Sequence, residues 1–134
     1  MLKNDKGVDY SYIRPLATIE PTAITLGMPV NVQFAFTDDK NMASELTQEN
    51  YNNSTIFVAW EHHLARKIAE DIMTNINGEK PQLPKWSDDD FDSIYVIKIT
   101  KVENKSQATF TLMQQDLNDL SKNCPLVSKN IAQQ

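Results

Sequence analysis

Positive charge is scarce and scattered in this sequence. Thirteen Lys and Arg face eighteen Asp and Glu, a net charge of −5, and no basic run or stripe occurs. Binding along a nucleic-acid backbone needs clustered cations, so a nucleic-acid partner is not expected. A pocket for a phosphorylated small molecule needs only a few local positive groups and stays compatible with this charge. Cysteine is nearly absent. Cys124, followed by Pro125, has no second thiol and so forms no internal disulfide. It lacks a CxxC partner and a neighbouring His, and is expected to be structural or incidental rather than reactive. No apolar run approaches the ~20 residues of a membrane-spanning helix. The stretch Met1-Leu2-Lys3-Asn4-Asp5-Lys6-Gly7 has no apolar core of a signal peptide. A membrane partner is therefore not expected, and the sequence names no compartment.

What is present suits one folded unit. The 134 residues fit a single domain spanning 1–134, and 40% apolar residues suffice for a modest core. Residues 1–13 read as a polar loop ending in Tyr10, Tyr12 and Ile13. Arg14 then precedes Pro15, which suits a first helical position because its missing N–H is no loss there. Leu16, Ile19, Ala23 and Leu26 follow at helical spacing. Pro21 either kinks or splits this helix, and Gly27 with Pro29 beyond it marks the stop.

Val30 to Phe36 alternates strictly, which predicts a strand with one buried face. Asp38 or Asp39 is placed to cap a helix over roughly 40–49, with Met42, Ala43 and Leu46 as its apolar face. Ile56-Phe57-Val58-Ala59-Trp60 is a continuous apolar run of strand length. It predicts a strand buried on both faces, as in the middle of a parallel sheet. Glu61, His62 and His63 follow at once. Leu64, Ala65, Ile68, Ala69, Ile72, Met73 and Ile76 then repeat at three and four, with Gly78 as the stop. Residues 79–92 read as a loop, and 93–100 and 109–112 as an antiparallel pair of strands. The tail from Leu117 is polar and weakly patterned. Alternation of strands and helices followed by a hairpin predicts an α/β fold.

In open α/β sheets, ligands bind beyond the carboxyl ends of the strands. The Glu61-His62-His63 trio falls at such a place. Arg14, opening a helix, is placed for an anion, since a planar guanidinium grips phosphate oxygens and a helix N-terminus adds partial positive charge.

Ile56-Phe57-Val58-Ala59-Trp60-Glu61-His62-His63-Leu64 resembles the second-histidine motif of the histidine phosphatase superfamily, the phosphoglycerate mutase-like proteins. There an apolar strand ends in a catalytic histidine that opens a helix. Arg14-Pro15-Leu16-Ala17-Thr18-Ile19-Glu20-Pro21-Thr22-Ala23 is similar to the superfamily's arginine-containing helix start. Trp86 to Val96 resembles the Trp-Asp-Phe-Asp-strand segment of some bacterial members. The three occur in the family's order, and the likeness spans roughly residues 10–115.

The resemblance implies a three-layer αβα sandwich with a mostly parallel sheet and a C-terminal hairpin, here incomplete. It implies phosphomonoester hydrolysis or phosphoryl transfer through a phosphohistidine, with no metal or other cofactor. Arg14 and His62 would bind the phosphoryl group. Glu61 would be a local acid or would orient His62, and His63 stands where most members carry Gly. One element of the pattern is missing. The family's phosphoryl-accepting histidine sits in an Arg-His-Gly or Arg-His-Ala motif, whereas the only histidines here are His62 and His63. A covalent path needs that nucleophile in line with phosphorus. The chain is therefore expected to match the C-terminal portion of such a domain, to have negligible phosphatase activity, and to self-associate through the edge left open near 56–60. The other class of reading is a non-catalytic anion-binding or protein-interaction module.

Blander or rival readings bear on the same residues. Adjacent histidines on a helix do not readily face one metal ion, and neither HExxH nor HxxEH occurs, so zinc is disfavoured. Asp88, Asp89, Asp90 and Asp92 lack the alternation, central Gly and distal Glu of a calcium loop, and read as a solvated helix-capping loop. Trp60 and Trp86 could stack on a ligand, but Trp60 ends an apolar run and is expected in the core. The N-x-S/T triplets at Asn52, Asn53 and Asn104 are of the kind that arises by chance.

Overall fold

Three helices and one long β-hairpin carry the structure, a computed structural model that describes residues 2–3, 6–7, 9–103, 105–117 and 121. Cys124, Asn104 and nearly all of the polar tail lie outside the described residues. The order is β1 (Leu2–Lys3), β2 (Asp9–Tyr10), α1 (Arg14–Leu26), α2 (Asp39–Leu46), a 3-10 turn (Glu49–Tyr51), α3 (His62–Asn77), β3 (Ser93–Val102) and β4 (Lys105–Gln114). β1 and β2 form a short antiparallel bridge, and β3 pairs antiparallel with β4 from Ser93↔Gln114 to Val102↔Lys105. The described chain is thus mixed α/β, with an antiparallel hairpin as its main sheet.

Helix α3 is the hub. Its apolar repeat buries Ile68, Ala69, Ile72 and Met73. On one side Ile68 and Ile72 pack with Met42 and Ala43 of α2, with Phe34, Leu46, Trp60 and Ile97 around them. On the other side Ala69 and Met73 pack with Leu83 and Ala108, flanked by Ile76, Tyr95, Ile97 and Phe110. Ile97 of β3 touches both clusters, so the hairpin and α2 are joined through α3. Burying each large apolar side chain contributes roughly 1.5–3 kcal/mol. Gly78 ends the helix in the left-handed conformation (φ 79°), donating its N–H to the Thr74 carbonyl. Asn77 then reaches the edge of β4, where its amide accepts from Ala108 N–H (2.8 Å) and donates to Ala108 C=O (3.0 Å). This side chain satisfies a backbone pair that a further strand would otherwise take.

Helix α1 begins at Arg14, one residue before the start expected at Pro15, and runs unbroken through Pro21, so Pro21 does not split it. Gly27 closes it with φ 64°, and the Met28 N–H reaches the Ala23 carbonyl in a Schellman arrangement. The helix buries none of its residues, and Ile24 (73%) and Leu26 (52%) stay exposed.

Two expectations fail here. Residues 30–36 form no ladder and are irregular, with the Asp38 N–H turning back onto the Ala35 carbonyl. The run 56–60 belongs to no strand either, and it is not buried on both faces: Ile56, Phe57 and Val58 are 41, 58 and 43% exposed. Apolar alternation fixes which side chains want burial, whereas a strand also needs a backbone partner, and no described segment pairs with either run in a ladder. The final strands, by contrast, are longer than expected. β3 continues through Lys101 and Val102 and β4 through Lys105 to Ala108, because hairpin register carries pairing past the apolar positions.

Candidate functional site

The candidate site gathers at the N-terminus of α3. The apolar run ends at Glu61, whose extended backbone (φ −65°, ψ 136°) makes it the N-cap. Its carboxylate accepts from His63 N–H at Oε1 (3.1 Å) and from Leu64 N–H at Oε2 (3.0 Å), satisfying two of the helix's open donors. The same Oε1 lies 2.8 Å from His62 Nδ1. Glu61 therefore caps the helix and holds the imidazole that opens it.

His62 reaches a second carboxylate. Its Nε2 is 2.8 Å from Asp88 Oδ1, and His63 Nε2 is 3.3 Å from the same oxygen. The two rings lie 4.0 Å apart, tilted by 41°. His62 is about one-third exposed, while His63 and Asp88 are open to solvent. The hydrogen bond with His62 and the proximity of His62, His63 and Lys85 hold the Asp88 carboxyl below its ordinary value, against a smaller opposing effect of desolvation.

Asp88 arrives from a loop pinned at several points. Arg66 donates to the carbonyls of Pro84 (3.0 Å) and Leu83 (3.2 Å). Tyr95 O–H also donates to Pro84 C=O, at 2.6 Å. Trp86 stacks on Tyr95 at 4.5 Å and donates its Nε1–H to the Asp90 carbonyl. The Asp90 carboxylate accepts from Asp92 N–H, Ser93 N–H and Ser93 O–H, which lowers its pKa, the Ser93 hydroxyl contributing most. Asp92, 3% exposed, accepts at Oδ1 from the Gln115 and Leu117 N–H groups. The acidic run is thus a turn-forming clamp between β3 and the residues after β4, with Asp88 as the member free to face the histidines.

Arg14 is connected only indirectly. Its Nη2 donates to Tyr12 Oη (3.0 Å), and its guanidinium lies 4.9 Å from the Tyr12 ring centroid. Tyr12 meets Phe36 edge-on at 5.0 Å, and Trp60 Nε1–H donates to the Phe36 carbonyl (3.1 Å). A chain of contacts therefore runs from Arg14 through Tyr12 and Phe36 to Trp60, two residues before His62. No hydrogen bond or ion pair joins Arg14 itself to the cluster. Trp60 is half-buried against the core, as expected, and Trp86 has Tyr95 as its stacking partner.

Sequence reasoning singled out Glu61, His62 and Arg14 but assigned Asp88 no part in this cluster. Adjacent histidines are not expected to face one point readily, yet the Nε2 atoms of His62 and His63 both lie within 3.3 Å of Asp88 Oδ1. On the first turn no preceding turn stands in the way of side chains that lean toward the N-terminus. Glu61, His62 and His63 offer donor atoms all within 4.8 Å of one another. A cleft of about 660 Å³ lined by Asn75, Asn77, Glu79, Lys105 and Gln107 sits at the other end of α3, away from this chemistry. Comparison with known proteins adds no relative: no family model, no curated protein and no solved structure matches this chain.

Proposed function

We propose that this chain is a histidine phosphatase-like protein that binds a phosphate group through Arg14 and His62 and does not hydrolyse it. One observation carries the reading. The Arg14–Tyr12–Phe36–Trp60 chain of contacts tethers the arginine that opens α1 to the run that delivers His62 to the start of α3. Two separate helix starts, each bearing a cationic or protonatable donor, are thereby tied to one region, which is what a phosphate monoester's oxygens require. The anion would enter where Asp88 now meets His62. Arg14 and His62 would hold charge on the equatorial phosphoryl oxygens, a large electrostatic contribution when a nucleophile stands in line. The other histidine, His63, stands beside His62 rather than across from it, so no imidazole is placed in line to attack phosphorus, and binding without turnover is the expected behaviour.

The same reading assigns 56–60 to the interior of a mostly parallel sheet within a three-layer sandwich. Its apolar character, the extended backbone at Glu61, the exposure of Ile56, Phe57 and Val58, and the lack of any buried residue on α1 all support a sheet whose neighbouring strands are not among the described residues. An open edge of this kind also invites pairing between copies of the chain.

Isothermal titration with inorganic phosphate and orthovanadate tests the proposal. The chain should bind both, and Arg14→Ala or His62→Ala should each weaken binding about ten- to hundredfold, the worth of a charge-assisted hydrogen bond. Turnover of p-nitrophenyl phosphate should stay at background. Turnover that disappears with His62→Ala would overturn the claim of inactivity, and failure to bind either anion would overturn the reading as a whole.

A further inference from the structure

His62 presents a chemical problem that the phosphate reading does not address. A neutral imidazole carries one N–H. His62 faces a carboxylate oxygen with each ring nitrogen, Glu61 Oε1 at 2.8 Å from Nδ1 and Asp88 Oδ1 at 2.8 Å from Nε2, and a single N–H can serve only one of them. His63 brings a second Nε2 to 3.3 Å from Asp88 Oδ1. Acceptors converging on acceptors repel unless positive charge lies among them, either a further proton or a metal ion.

We infer that His62 Nε2, His63 Nε2 and the Asp88 carboxylate form a site for a divalent transition-metal ion of the zinc type. The donor set fits this class. Two imidazoles and one carboxylate suit zinc, cobalt or nickel, whereas calcium and magnesium favour all-oxygen cages. The spacing fits as well. Ligands about 2.0–2.2 Å from a tetrahedral zinc ion stand about 3.4 Å from one another, so Asp88 needs to withdraw from His62 by roughly half an ångström. Asp88 is 80% exposed and can move that far without disturbing packing. Glu61 stands behind His62 as the orienting carboxylate, fixing the tautomer that leaves Nε2 free, an arrangement typical of metal-bound histidines. Three protein ligands leave a fourth position for water or an anionic oxygen. The inference does not rest on the phosphate reading, which shares His62 with it, needs Asp88 only to withdraw and gives His63 no part.

The test is titration of the metal-free chain with Zn²⁺ against a chromophoric chelator, together with the visible spectrum of the Co²⁺ form. One Zn²⁺ per chain is expected, with at least about tenfold weaker binding in both His63→Ala and Asp88→Ala. The Co²⁺ bands should shift in His63→Ala, as loss of an imidazole ligand requires. Both side chains are exposed, so the variants should keep the near-ultraviolet dichroism of Trp60 and Trp86. Absence of one-to-one binding, or equal affinity in the wild type and both variants, would overturn the inference. Phosphate titration of the same His63→Ala protein reports separately on the anion site, which should be unchanged.

Discussion

Glu61 serves two neighbours with one carboxylate, and the two services can be separated. Its oxygens accept two backbone N–H groups of α3 while Oε1 also faces His62 Nδ1. Loss of an N-cap typically costs about 1 kcal/mol. Glu61→Ala should therefore lower the unfolding free energy by that amount, seen as a lower urea midpoint with the slope unchanged, and should also weaken phosphate binding because His62 is no longer held. Glu61→Asp restores a preferred capping residue but shortens the reach, so it should recover stability more than phosphate affinity. Equal recovery of both would mean that the His62 contact has no separate role. The trio was legible in the sequence because three polar residues stand between an apolar run and a helical repeat. The cap was not, because Glu is outside the usual capping set of Ser, Thr, Asp and Asn. Asp88 lies 26 positions from His62, and its place is set by Arg66, Tyr95, Asp90 and Asp92 fixing the intervening loop, which no local pattern encodes.

Between elements, α2 and α3 are fastened by an ion pair at the rim of their shared core. Lys67 Nζ lies 2.5 Å from Asp39 Oδ2, and the Asp39 side chain is 8% exposed. The hydrogen bond with Lys67 lowers the Asp39 pKa, and the same bond raises that of Lys67. A carboxyl depressed from 3.8 contributes stability above that value and loses it as pH falls through the folded pKa. A lysine raised from 10.5 contributes stability below that value and loses it as pH rises through its folded pKa. Melting temperature should therefore drop at both extremes, below 3.8 and above 10.5, and Asp39→Asn should lower the plateau between them while flattening both limbs. An unchanged acid limb in Asp39→Asn would remove the pair from that account. Deeper in the same contact, Ile68→Ala should cost about 2–5 kcal/mol, since Ile68 is 4% exposed among Met42, Ala43 and Ile72. These helices were readable from period and caps alone: Pro15 and Gly27 bound α1, and Gly78 ends α3 where the apolar repeat stops. The runs 30–36 and 56–60 were misread as strands for the complementary reason. A helix closes its hydrogen bonds within itself, whereas a strand borrows them from a partner that its own sequence does not specify.

At the scale of the whole molecule, an exposed apolar run points to association. Ile56, Phe57 and Val58 are 41, 58 and 43% exposed and form an uncharged apolar run with no ladder partner among the described residues. A second copy of the same run can pair with it antiparallel about a two-fold axis, satisfying backbone groups and covering side chains together. The net charge of −5 opposes association at long range, and salt should weaken that opposition. Sedimentation velocity should therefore show dimers or larger species that grow with protein and salt concentration. Phe57→Lys adds like charge across the two-fold, and Val58→Pro removes a ladder donor, so either should return the chain to monomer. Both positions are about half exposed, so neither change should disturb the α2–α3–hairpin core. A wild-type chain that stays monomeric at every concentration and melts cooperatively would show that 56–60 is stable as an unpaired segment, and would withdraw the main support for placing it inside a larger sheet.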